Sequence, residues 1–85
     1  MQPVTIYTKP WCGFCHAAKR LLDAKGVEFN EIDIEGNPEL RTEMIQKAGG
    51  RTTVPQIWIG DTHVGGFDDI ADLDRRGKLD TLLAG

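Results

Sequence analysis

The sequence lacks an apolar run long enough to cross a bilayer, a secretory h-region and a lipidation motif, and its N-terminus leads straight into Val4-Thr5-Ile6-Tyr7. A soluble protein is the expectation. It also lacks a surplus of positive charge. Ten Lys and Arg stand against 13 Asp and Glu, a formal net charge of −3, whereas a nucleic-acid backbone is bound by a positive face that displaces counterions. Nucleic acid is therefore disfavoured as a partner. Repeats, linkers and low-complexity stretches are absent as well. Cysteine is scarce: Cys12 and Cys15 alone are too few for a secreted disulfide framework. A bridge closing so small a ring would restrain the unfolded chain by only about 2 kcal/mol, against roughly 3 to 5 for long loops. The pair is poor as a staple, which leaves chemistry in a reducing, cytoplasmic setting as the stronger expectation.

What is present suffices for one core: 85 residues, 40% of them apolar, imply that residues 1–85 form a single domain. Val4 to Thr8 is rich in β-branched and aromatic residues and stops at Lys9-Pro10, as a buried strand does. From Gly13 to Lys25, Phe14, Ala18, Leu21 and Leu22 fall at helical spacing, and Gly26 is placed to end the helix. Val27 to Asp33 alternates apolar and polar residues, predicting a half-buried strand that returns parallel to the first because a helix lies between. Asn37-Pro38 is a preferred N-cap and first helical residue, and Leu40, Met44 and Ala48 form an apolar stripe before Gly49-Gly50. Val54 to Ile59 and His63-Val64 predict an antiparallel hairpin across Gly60-Asp61. A helix capped by Asp68 or Asp69 then runs to Arg75-Arg76, and Leu79, Leu82 and Leu83 supply a last apolar turn or short helix. The order β-α-β-α-β-β-α predicts an α/β fold, a mixed sheet with helices on its faces.

Cys12-Gly13-Phe14-Cys15 follows a strand and opens a helix, the context that gives a Cys-x-x-Cys a redox meaning. A thiolate, not a thiol, attacks a disulfide. At Cys12 the first amides of the helix and its dipole favour the anion, and Lys9 lies three residues upstream. Cys15, one turn in, faces back toward the sheet, so it is expected to be less exposed and harder to ionise. Cys12 then attacks and Cys15 resolves. With His16 the same segment matches c-type haem attachment, but that needs export, a helical wrap and a second axial ligand such as Met44. A zinc site needs about four ligands, and only the two cysteines, His16 and His63 are at hand; no metal site is assigned. Val54-Pro55 is either a plain strand-edge proline or a cis bond presenting the Val54 backbone to an extended peptide. Gly65 to Asp69 opens a helix N-terminus able to receive a carboxylate, or merely an N-cap, and Arg51 is by default a surface charge.

With Tyr7-Thr8-Lys9-Pro10-Trp11-Cys12-Gly13-Phe14-Cys15, Thr53-Val54-Pro55 and Gly65-Gly66-Phe67-Asp68-Asp69 in this order, the whole chain resembles a glutaredoxin of the bacterial type. The resemblance implies a thioredoxin-like fold with a four-stranded sheet of order 2-1-3-4 flanked by helices, and a cis Pro55 in the site. It further implies reduction of glutathione mixed disulfides and protein disulfides through Cys12 and Cys15, with glutathione as electron donor. By that likeness Lys9 and Arg51 hold the glycine carboxylate of glutathione, Thr53 and Val54 pair with its backbone, Gly66, Phe67 and Asp68 receive its γ-glutamyl end, and Phe14 lines the groove. Dithiol members commonly carry Cys-Pro-Tyr-Cys; Gly13 and Phe14 look instead like the monothiol class, whose second cysteine is replaced by serine. Some members without that proline share a [2Fe-2S] cluster between two subunits through the first cysteine and two glutathiones. Cluster carriage by a dimer is thus the alternative to a monomeric oxidoreductase, with Trp11 and Cys15 the residues that bear on it.

Overall fold

The computed structural model describes all residues from Met1 to Gly85. Its elements are β1 (Val4–Thr8), α1 (Gly13–Ala24), β2 (Asn30–Asp33), α2 (Pro38–Lys47), β3 (Gln56–Ile59), β4 (Thr62–Gly65), α3 (Phe67–Arg75) and α4 (Leu79–Ala84). They form one sheet in the order β2-β1-β3-β4. β1 runs parallel to β2, with Tyr7 opposite Ile32, and antiparallel to β3, with Ile6 opposite Ile57. β3 and β4 pair antiparallel.

Alternation along the strands sends side chains to two faces. Val4 and Ile6 of β1 and Ile57 and Ile59 of β3 join Ala18 and Leu22 of α1, Ile70 of α3, and Leu79 and Leu83 of α4 in the larger core. Tyr7 joins Met44 of α2 and Ile34 in a smaller core on the other side. Helices therefore cover both faces, and the ends of β1 and β3 are held between two packed layers.

Two local expectations are corrected. The second strand begins at Asn30, not Val27. Gly26, at φ 70°, turns the chain so that its own N–H donates to the Asp23 carbonyl at 3.0 Å and the Val27 N–H to the Leu22 carbonyl at 3.1 Å. That paired closure satisfies the end of α1 and commits the Val27 donor to the helix rather than to the sheet. At α3 the N-cap is Gly66; Asp68 and Asp69 both lie within the first turn, and the Asp69 carboxylate accepts the Gly66 N–H at 2.8 Å. The other caps follow expectation: Asn37 accepts the Leu40 N–H at 3.1 Å ahead of Pro38. The last leucines form the short helix α4.

Candidate active site

β1 delivers the chain to the loop Lys9–Cys12, and Cys12 is the N-cap of α1, in extended backbone at φ −126° and ψ 108°. That conformation folds its side chain over the first turn, where Sγ accepts the Cys15 N–H at 3.1 Å. An otherwise unpartnered helix donor is thereby aimed at sulfur, and such a bond strengthens when the acceptor carries charge. The Cys12 thiol in turn donates to the Val54 carbonyl at 3.6 Å. The Val54–Pro55 bond is cis. His16, a haem or zinc candidate by sequence, donates from its ring to the Pro10 carbonyl at 3.0 Å and so tethers the loop.

Cys15 is fully buried in the face of α1 that meets the sheet. Burial, reinforced by its hydrogen bond with Cys12, pushes its thiol up from 9.0 to about 12. Both cysteines are free thiols. One sulfur is half-buried at a helix N-terminus; the other is fully buried and held protonated one turn away.

Beside Cys12 runs a groove of about 270 Å³ lined by Phe14, Arg51, Thr53, Val54, Pro55, Gly66, Phe67, Asp68 and Asp69. Phe14 is not part of the core, as its helical spacing with Ala18 and Leu22 suggests. It is 62% exposed and stacks on Phe67, with ring centroids 6.1 Å apart. The wall opposite is the start of α3, whose first-turn N–H groups have no partner within the helix. Gly65, at φ 115°, makes the turn into it, and a Cβ there would run into Asp69 and Arg51. Lys9 lines a second depression of about 300 Å³, with Ile34–Pro38 and Arg41. Lys9 and Arg51, paired in expectation on one carboxylate, line different hollows at the same end of the sheet.

Asp69 is a site residue that sequence reasoning assigned only to capping. Its carboxylate accepts both the Gly66 N–H and Arg51 Nη1, the latter at 3.1 Å. The Gly66 amide, with Arg51 adding to it, holds the carboxyl below its usual range. The spacing Gly66-x-x-Asp69 is the available signal, being that of a capping box. Arg41 beside Lys9 was also missed, and only the fold puts α2 next to the Lys9 loop. No three His, Cys, Asp or Glu side chains converge as a metal-ion site, and no helix is long and apolar enough to cross a membrane.

A four-stranded 2-1-3-4 sheet that sets a half-buried cysteine at the N-cap of α1 and a buried one in its first turn, beside a cis proline, defines a thiol-disulfide oxidoreductase of thioredoxin-like fold. The comparisons narrow this class. The glutaredoxin family model matches residues 4–64. A glutaredoxin of Pseudomonas aeruginosa is 62% identical over 84 residues, 99% of each chain. Glutaredoxin 3 of Escherichia coli is 57% identical over 83 residues, 98% of this chain and 99% of that one. Among solved structures, a buckwheat glutaredoxin-glutathione complex superposes with a TM-score of 0.89 at 30% identity, covering 98% of this chain and 77% of that one. The chain belongs to the glutaredoxin family.

Proposed function

We propose that this glutaredoxin takes its electrons from glutathione and reduces glutathione mixed disulfides and protein disulfides. The observation that carries the reading is the groove beside Cys12 Sγ. It joins the Thr53–Val54 backbone, two stacked phenylalanines and the open N-terminus of α3, which suits a short extended peptide bearing a carboxylate. The likeness to a neighbour solved as a glutaredoxin-glutathione complex supports it. In this reading Lys9 receives a second carboxylate, from a hollow it shares with Arg41 and Glu35.

Cys12 thiolate attacks the glutathione sulfur of a mixed disulfide. The old S–S bond breaks, a Cys12–glutathione disulfide forms, and the released protein thiolate takes a proton from water. A second glutathione thiolate then attacks the glutathione sulfur on Cys12, giving oxidised glutathione and free Cys12. With a protein disulfide, Cys15 attacks Cys12 instead, leaving a Cys12–Cys15 disulfide and a second substrate thiol, and glutathione re-reduces the pair. The same reading takes residues 1–85 as one domain working as a monomer in the reducing cytoplasm.

The cluster alternative belongs to a pair of chains. A [2Fe-2S] cluster takes four ligands, and one chain presents the Cys12 sulfur while Cys15 is buried and no ligand triplet converges. It would require a second copy and external thiols.

Turnover of a glutathionylated peptide and of a protein disulfide tests the proposal. Cys12→Ser should abolish both, and Cys15→Ser should keep the first while losing the second. Full activity of Cys12→Ser, or a wild-type protein indifferent to glutathione, overturns it.

A further inference from the structure

Gln56 is a polar side chain buried completely at the start of β3, directly after Pro55. Burying a carboxamide is costly unless its donors and acceptor are met. Here they are: Nε2 donates to the Thr53 carbonyl at 3.0 Å and to Thr53 Oγ1 at 3.2 Å, while Oε1 accepts from His63 Nε2 at 2.7 Å. A flipped amide would set oxygen against the Thr53 carbonyl, so Oε1 faces the imidazole and the neutral ring carries its proton on Nε2.

We propose that Gln56 is a positioning residue that holds the Thr53–Val54 segment in its substrate-pairing shape, and that His63 fixes the amide's orientation. The inference rests on the reading of that segment as the place where a peptide backbone pairs. His63 is itself held flat, stacked on Trp58 with centroids 4.7 Å apart, and Trp58 lies edge-on to Tyr7. The charged groups around the imidazole are Arg51, ahead of β3, and Asp69 of α3, with Asp72 of α3 in the same depression. Both the neutral Nε2–H tautomer and the imidazolium donate from Nε2, so the hold does not depend on the charge of His63. The chain of contacts runs from the β3–β4 hairpin through a buried amide to the groove, and neither His63 nor Gln56 lines that groove.

The test compares His63→Phe, which keeps a ring on Trp58 without the donor, with His63→Gln, whose amide nitrogen reaches the Nε2 position. Gln56→Leu removes the clamp itself. For a glutathionylated peptide, His63→Phe should raise KM about fivefold, the weight of one neutral hydrogen bond, with kcat within about twofold of wild type, and Gln56→Leu should raise it further. His63→Gln should restore the wild-type KM. In parallel, NMR exchange of the Gln56 carboxamide protons should be about fivefold faster in His63→Phe and unchanged in His63→Gln. A folded His63→Phe with wild-type KM and exchange overturns the inference, as does a His63→Gln that behaves like it. If the wild-type protein turns over no glutathionylated peptide, the proposed function fails, and the exchange measurement alone decides the role of Gln56.

Discussion

The reactivity of Cys15 offers the sharpest check on the two-thiol division of labour. Burial raises this thiol from its ordinary 9.0 to about 12, and each step of one on that scale is a tenfold change in the ionised fraction. At about pH 8 an ordinary thiol is roughly one-tenth thiolate, while Cys15 would be so in about one molecule in ten thousand, a thousandfold deficit. In Cys12→Ser the burial that contributes most remains, whereas the contribution from Cys12 sulfur is lost, so a smaller but still large deficit should survive. The assay is iodoacetamide alkylation followed by intact mass, comparing the folded Cys12→Ser protein with the same protein in denaturant at each pH. Folded-state alkylation within about tenfold of the denatured rate would mean that Cys15 is neither buried nor held protonated. The idea of a resolving thiol kept silent until Cys12 is oxidised would then fall. The sign of the linkage follows from the same shift. A thiol whose value is raised by folding contributes stability below about pH 9, and that contribution is lost progressively as pH rises from 9.0 toward about 12.

At Gly65, φ is 115° and a Cβ would meet Asp69 and Arg51, so Gly65→Ala should cost about 1–3 kcal/mol. That lowers Tm by at least about 5 °C for a domain of this size; an unchanged calorimetric Tm would refute the close approach of those side chains. The Asp69 carboxyl is held below its ordinary 3.8, first by the Gly66 amide and then by Arg51. Its stabilising effect is therefore complete above that ordinary value and disappears as pH falls through the lower folded one. Urea denaturation between about pH 2 and 5 should show a shallower acid loss in Asp69→Asn than in wild type, and identical slopes would dismiss the Gly66–Asp69 bond as a source of stability.

Much of the architecture was legible because its signals are local. The β-branched run of β1, the Asn37-Pro38 cap and the Leu40, Met44, Ala48 stripe each depend on residues at most a few turns apart, and each element stands where those patterns put it. The errors were local competitions that pattern alone does not rank. Val27 continues a strand-like alternation, yet its amide closes α1. Asp68 and Asp69 are good caps, yet Gly66, directly after the turn at Gly65, is the N-cap, and Asp69 reaches back to its amide.

The Cys-x-x-Cys at a helix start and the burial of Cys15 were determined by sequence, since the helix itself sets one cysteine at the N-terminus and turns the other inward. Only the tertiary structure decided what Cys12 faces. Its thiol meets the carbonyl of Val54, 42 positions away, because β1 and β3 are neighbours in the sheet. The same packing sends Arg51 to Asp69 and sets His63 against Gln56 across the hairpin. Helical and strand periodicity report which way a side chain turns from its own backbone. Which cation meets which carboxylate depends on how separate elements stack, and that arrangement exists only in the folded core.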